Sequence, residues 1–407
     1  MQKSEKKHII ILSTYFPPIV SVASNRIFAF AEYLNKDRFS VDVVTLMEHH
    51  KTAKFENFNV TYLPNRQIIK RAGFYRNYPY LVHKSRALWN VLISILGIRE
   101  YRGWGEAAIR AAGKLIKNPS ETVLITSFPV DEVLHVAIAL KQKYPLMTWI
   151  SDLRDGLSTN PYHSEKVAQK YLQLEKKMMQ MANGITSVSD PLINYFHHHP
   201  SELSVPIVEI RNGYNFDAGS PAQFNDHFTI SHVGTFYGDR NPGFFFRAIH
   251  ELQEAGLVPD ICIQFVGVSG GVVIPVKLKP VVIIHEKVGY ENAIEIMRRS
   301  DALLLVLPAG RFKGVYSGKL FDYLGVMKPI VALVDKDDVA ASLVMDCKAG
   351  AIAGWNSVTE IKKAILWAYE IWKEKRVPEY NRELIEQHHR KVQVQSLEVF
   401  IEYLLKK

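Results

Sequence analysis

The 407-residue chain holds only two cysteines, Cys262 and Cys347. Two thiols cannot build a disulfide framework, so a packed core has to hold the fold, and a reducing compartment suits it. Long apolar runs are also missing. The longest, residues 88–98, is broken by Asn90 and is about half the ~20 residues that a membrane span needs. The run 9–12 behind Lys3, Lys6 and Lys7 is too short for a secretory core and reads as a first strand. No GxSxG or Cys/His pair offers a nucleophile. The glycines of 267–271 follow a strand but do not match GxGxxG. Residues 314–320 miss a Walker A loop, because the glycine spacing is one short and Leu320 stands where a hydroxyl would hold Mg²⁺. Three consecutive histidines, His197 to His199, point in different directions and have no carboxylate or cysteine at ligand spacing, so no metal site is expected.

What is present is ordinary in amount and uneven in place. The chain is 47% hydrophobic and 22% charged, the composition of a soluble globular protein, and its length suits two domains. Its net charge is +9, and the segment 66–117 alone carries that excess, with eleven lysines and arginines against Glu100 and Glu106. Phe74, Tyr75, Tyr78, Tyr80, Trp89, Tyr101 and Trp104 are interleaved with these cations. Cations beside rings and aliphatic side chains suit an anionic membrane surface, where the charges meet head groups and the rings sit at the interface. A solvated basic face over ordinary core helices is the competing reading. Nucleic acid is not expected as a partner, because no recognition motif accompanies the patch.

Short apolar runs alternate with helical spacing along the whole length. Strands are expected at 8–13, 41–46, 60–63, 122–127, 147–151 and 184–188, with helices at 23–34, 133–144 and 167–181. The pattern restarts after a Pro- and Gly-containing segment near 200–212, with strands at 208–210, 229–233, 261–266, 281–285, 302–307 and 330–334. Helices are expected there at 243–255, 290–300, 319–326 and 358–375, with one or two more over 382–405. The implied fold class is α/β, with two tandem Rossmann-like, doubly wound domains. The domains are placed at 1–205 and 206–385. A closing helix over 386–407 leaves open a return to the first domain.

Ligands of such sheets bind at the carboxyl ends of the strands, on loops that open helices. Four loops there have unusual composition. Residues 13–26, STYFPPIVSVASNR, put Pro18, Ser21, Ser24 and Arg26 around a helix start, where small residues let backbone amides approach an anion. Residues 151–155, SDLRD, flank Arg154 with Asp152 and Asp155 just past a strand. Residues 233–249 offer Gly234, Thr235 and then Arg240 at a helix start. Residues 314–333, GVYSGKLFDYLGVMKPIVAL, run through Ser317, Gly318, Lys319, Leu320 and Asp322 into a strand. Each has a plainer reading. Pro17-Pro18 could only shape a turn, Arg154 could pair with Asp152 or Asp155, and Gly234 could be a simple turn. Lys319 could be a surface lysine, with Asp322 favoured by the helix dipole. Four such loops at equivalent positions of two domains point to a site.

These segments resemble the GT-B glycosyltransferases, in the retaining family-4 class. The resemblance rests on YFPP (15–18) with Arg26, SDLRD (151–155), RNGYNFD (211–217), VGTFYGDRNP (233–242), SGKLFDYLGVMKPIVAL (317–333) and DCKAG (346–350). It implies two Rossmann-like domains with a cleft between them, the second domain holding a UDP- or GDP-type nucleotide-sugar as donor substrate. It implies no cofactor and no metal. Asp322 takes the place of the acid that binds the ribose hydroxyls. Arg240 and Lys319 match basic positions facing the diphosphate, and Gly234, Thr235, Ser317, Gly318 and Leu320 fall in the donor-binding loops. Arg154 and Asp155 lie where relatives contact the donor sugar or the incoming hydroxyl. By this likeness Arg154, Asp155, Arg240 and Lys319 carry the chemistry. The sequence departs from the pattern at Gly314, where many members carry a first acid that contacts the donor sugar, and at Asp322, one methylene shorter than the usual glutamate. The expected function is transfer of a sugar to a glycan or lipid-linked acceptor in cell-surface polysaccharide assembly. The expected place is the cytoplasm, peripheral on the inner membrane face. A nucleotide-sugar 2-epimerase of the same architecture and a non-catalytic degenerate scaffold are the rivals.

Overall fold

A computed structural model describes residues 6–47, 52–65, 99–160, 163–221, 223–236, 240–268, 272–308 and 313–407. Most of the basic, aromatic stretch (66–98) lies outside the described residues, as do Tyr237, Gly238 and Asp239 of the 233–242 motif. The chain divides into two units. The first comprises residues 1–187, 193–209 and 394–407, and the second 188–192 and 210–393.

The first unit is built on β1 (Lys7–Ser13), β2 (Phe39–Leu46), β3 (Asn59–Leu63), β4 (Thr122–Phe128), β5 (Thr148–Leu153), β6 (Gly184–Ser187) and β7 (Ile207–Glu209). All pair in parallel, in the order β3-β2-β1-β4-β5-β6-β7. Its helices are α1 (Val22–Tyr33), α2 (Arg102–Leu115), α3 (Glu132–Lys143), α4 (Glu165–Met181) and α5 (Asp190–His197). Every residue of β4 and β5 is buried, as expected for parallel strands covered on both faces. Helix α2 turns Trp104, Ala108 and Ala112 into this core and leaves Arg102, Arg110 and Lys114 exposed. Trp104 is therefore a core residue and not part of an aromatic surface.

The second unit holds β8 (Phe228–Val233), α6 (Gly243–Glu254), β9 (Ile261–Val266), β10 (Val282–His285), α7 (Tyr290–Arg299), β11 (Ala302–Leu307) and α8 (Gly318–Val326). It continues through β12 (Ile330–Val334), α9 (Val339–Asp346), β13 (Gly350–Gly354), α10 (Val358–Lys373) and α11 (Arg382–Gln387). The sheet order is β10-β9-β8-β11-β12-β13, the doubly wound order with its switch point between β8 and β11. Side-chain alternation along β11 divides the core in two. Leu303, Leu305 and Leu307 pack with Leu320, Phe321 and Leu324 of α8. Ala302, Leu304 and Val306 pack with Phe245 and Ile249 of α6 and Ile361 and Ile365 of α10. The final helix α12 (Arg390–Leu405) begins in the second unit and places Val394–Lys407 in the first, where Phe400 and Leu404 lie over Gly184. Among the described residues no helix is long and apolar enough to cross a membrane.

Candidate active site

In the second unit the loops after β8 and β11 meet at the switch point. Lys319, in the first turn of α8, runs back over Gly234. A Cβ at residue 234 would stand 2.5 Å from Lys319 Cε, and the backbone there has φ +113°, so any side chain would both displace the lysine and strain the backbone. The ammonium is held by two acceptors, His232 Nε2 at 3.0 Å and the Thr235 carbonyl at 3.0 Å. Burial, helped by the nearby charge of Arg240, lowers its pKa to about 7. Phe236 stacks on the His232 ring with centroids 4.0 Å apart. Tyr323, on the buried face of α8, accepts the Val233 N–H at 3.1 Å and so locks the helix start to the end of β8.

Ser317 occupies the N-cap of α8 without a side-chain capping bond, the condition in which a helix start has amides to offer an anion. Leu320 does not add to them. Its side chain is in the core and its N–H donates to the Ser317 carbonyl at 3.1 Å. Thr235 contributes its carbonyl to Lys319, while its hydroxyl donates to the Gly267 carbonyl at 3.1 Å.

One turn further along α8, Asp322 accepts a hydrogen bond of 2.6 Å from Tyr290 of α7. Burial pushes its carboxyl up to about 6, against the charge of Arg390 and the Tyr290 bond. Arg390 arrives from a distant segment because Tyr214 and His388–Arg390 pair as strands do: Tyr214 N–H donates to the His388 carbonyl and Arg390 N–H to the Tyr214 carbonyl, at 3.3 and 3.0 Å. Gly213 permits this, since a Cβ there would meet the His388 carbonyl oxygen at 2.1 Å. The RNGY segment thus serves the site by bringing Arg390 to Asp322.

Gly314 is buried at φ +82°, with Pro191 ring atoms 2.6 and 2.8 Å from where a Cβ would be. Its N–H donates to Asp338 Oδ1 at 2.7 Å. The backbone leaves no space for the acid that the family pattern carries at this position.

In the first unit, Arg26 and Asp152 form a buried pair. Arg26 Nη2 is 2.7 Å from Oδ1, and Ser127 and Thr186 donate to the same carboxylate at 2.8 and 2.7 Å. Arg154 is therefore not Asp152's hydrogen-bond partner. Its Nε donates to the Phe128 carbonyl at 2.9 Å, and its Nη2 is buried without a protein partner. Burial raises the Asp155 carboxyl, opposed by Arg154. The loop carrying both is tied down at Ser158, which donates to Glu175 through its N–H and hydroxyl, at 3.1 and 2.6 Å. Tyr195 donates to Glu175 at 2.8 Å, and His199 approaches it at 3.4 Å. Of the three histidines, His199 is thus committed to a buried polar network. Ser21 caps α1 by accepting the Ser24 N–H at 3.0 Å, while Pro18 is exposed.

The structure gathers Gly234, Thr235, Ser317, Gly318 and Lys319 at one switch point, with the charge of Arg240 near enough to act on Lys319. Reasoning from sequence missed His232, Tyr290, Tyr323 and Arg390. His232 carried one signal, a titratable residue inside a strand run; the others carried none.

Neither a family profile nor a curated protein matches the chain by sequence. Solved structures do match it in shape. A sucrose-phosphate synthase from Thermosynechococcus elongatus aligns over 98% of this chain and 100% of its own, with TM-score 0.66 at 14% identity. TarM aligns over 100% of both chains, with TM-score 0.64 at 9% identity. A trehalose-6-phosphate protein from E. coli, bound with UDP-2-fluoro glucose, aligns over 98% of this chain and 99% of its own, with TM-score 0.62 at 12% identity. The fold is the GT-B fold. At these identities the likeness speaks for architecture, and the chemistry has to be argued from the residues.

Proposed function

We propose that this chain is a glycosyltransferase that takes a sugar from a UDP- or GDP-sugar and transfers it, with retention and without a metal, to a glycan or lipid-linked acceptor. One observation carries the reading: Lys319 laid over Gly234 at the β8/β11 switch point, beside the start of α8. An ammonium has three N–H donors, and two are already committed to His232 and Thr235. The third, the first-turn amides of α8 and the charge of Arg240 suit a diphosphate. A nucleoside diphosphate gains negative charge as the anomeric C–O bond breaks, and preorganised donors stabilise that charge where it develops. Asp322, one turn on, suits the ribose hydroxyls. The role proposed for Arg154 rests on its buried, unpartnered Nη2, fit to receive an oxygen of the sugar or of the acceptor. No protein nucleophile is assigned.

Binding of UDP and GDP to the full chain, by calorimetry with and without EDTA, tests the reading. Affinity and sugar transfer that survive chelation support it. Loss of both on chelation would overturn the metal-independent form, and no binding of either nucleotide would overturn the donor site. One observation favours the rival scaffold reading. The family's first acid is missing, and Pro191 closes the space at Gly314. A scaffold need bind no nucleotide, so the same titration decides between the two. Cell-surface polysaccharide assembly, on the cytoplasmic face of the membrane, is the setting we propose for this activity.

A further inference from the structure

We propose that His232 is a positioning residue for Lys319: its neutral ring accepts one lysine N–H and so aims another at a donor phosphate. The proposal rests on the diphosphate reading of the site. Nδ1 of His232 stands 2.9 Å from the Leu304 carbonyl oxygen, which can only accept. Nδ1 therefore carries the proton, and Nε2 presents its lone pair to Lys319 at 3.0 Å. The ring cannot swing away. It is 1% exposed and is stacked on Phe236 at an interplanar angle of 12°. With Thr235 as second acceptor, two of the three ammonium hydrogens have fixed directions, and tetrahedral geometry then sets the third.

The same arrangement keeps Lys319 charged when it would otherwise lose its proton. Burial and Arg240 both act against the ammonium. Asp322, the acid on its own helix, is turned to Tyr290. From β8 the ammonium meets His232, and from the loop beyond it the Thr235 carbonyl. The imidazole is itself held neutral by burial and by the Lys319 charge, with a smaller push from Arg240, against the Leu304 and Gly234 backbone groups that face the ring and favour its protonated form. A neutral acceptor stabilises the ammonium over the amine, because the charged donor makes the stronger hydrogen bond.

Two variants separate this role from packing. His232→Phe keeps the stack and removes the acceptor, while His232→Gln restores an acceptor. In the nucleotide-free protein, the ¹³Cε resonance of Lys319 should titrate at lower pH in His232→Phe than in wild type, and return toward wild type in His232→Gln. UDP or GDP affinity, measured from pH 6 to pH 9, should fall about tenfold in His232→Phe, with its decline toward high pH beginning earlier. Should His232→Phe not fold, His232→Asn, too short to reach Lys319, replaces it with the same expectation. An unchanged Lys319 titration, with affinity within twofold of wild type, would overturn the proposal. A shifted lysine titration in a protein that binds neither nucleotide would keep the positioning role and sink the diphosphate reading instead.

Discussion

Arg26 grips Asp152 from 126 residues away, with Nη2 2.7 Å from Oδ1 and Nε 3.1 Å from Oδ2. The pair joins α1 to the end of β5, and Ser127 of β4 and Thr186 of β6 close the remaining valences of the carboxylate. Four elements of the first unit thus converge on one acid at the end of β5, two residues before Arg154.

Removing one partner of this pair should be costly. Asp152→Leu would leave the Arg26 guanidinium buried and unpaired, and a loss of about 3–5 kcal/mol is expected in denaturant unfolding. Burial alone would raise the Asp152 carboxyl, but Arg26, Arg154 and Thr186 outweigh it and hold it below the usual carboxylate range. Its stabilisation is therefore fully present above the unfolded pKa of about 4 and is lost as pH falls through the lower folded value. Wild type should show this loss on its acid limb, and Asp152→Leu should not. Equal acid limbs would mean that the pair contributes nothing net.

Asp322 gives the opposite sign. Its carboxyl is raised to about 6 on folding, chiefly by burial. The folded chain then binds this proton more tightly than the unfolded one, so stability declines as pH rises from about 4 to about 6, by at most about 3 kcal/mol. Asp322→Asn keeps an acceptor for Tyr290 and removes the buried charge. It should melt higher than wild type at pH 7, with the gap closing below pH 4. Nucleotide-sugar binding should weaken by roughly 1.5–3 kcal/mol, the scale of hydrogen bonds to a charged group. A variant that is more stable and still binds fully would remove Asp322 from the donor site.

How much of this was legible in the sequence follows from how local each signal is. Strands β11 and β12 read directly, because parallel strands buried on both faces are unbroken apolar runs; β8 and β9 read from alternating apolar residues with β-branched neighbours. Strand β13 did not, since GAIAG has small residues where bulk and β-branching mark a strand. Helix α9, only eight residues and apolar on average, offered too little periodicity. The loops around Gly234 and Lys319 could be read because glycine and lysine sit next to a strand end. Their supports could not. His232 lies 87 residues from Lys319, and Tyr290 lies 32 from Asp322. Arg390 depends on the pairing of its segment with Tyr214, to which no spacing in the sequence points.

Gly234 and Gly314 make contrasting predictions. Gly234→Ala meets the flexible end of Lys319, so the lysine can move and the fold should survive with a loss of about 1–2 kcal/mol for the left-handed backbone. UDP or GDP affinity should fall much further, because Lys319 is displaced from His232. Gly314→Glu meets the rigid ring of Pro191 instead. Restoring the family's acid there should destabilise by about 2–3 kcal/mol and should not raise activity. A stable, more active Gly314→Glu would show that the backbone at 314 moves to accept it.

The basic stretch 66–117 can be tested for binding to membranes. In its described part, α2 buries Trp104 and exposes Arg102, Arg110 and Lys114, with Lys117 exposed just beyond. Arg102 is partly offset by Glu106 at 3.0 Å, while Arg110, Lys114 and Lys117 have no ion pair among the described residues. Each lysine or arginine near an anionic bilayer contributes on the order of 1 kcal/mol, and the attraction fades beyond a Debye length of about 8–10 Å. The protein should sediment with vesicles rich in anionic lipid at low salt and be released at high salt. Replacing Arg110, Lys114 and Lys117 with glutamine should weaken sedimentation by about a hundredfold in partition coefficient. Adding Lys70, Arg71, Arg76, Lys84 and Arg86 to the set should abolish it, with nucleotide affinity unchanged in both variants. Partition that is equal on neutral and anionic vesicles and indifferent to salt would make the stretch a solvated face, with Trp104 accounted for by the core alone.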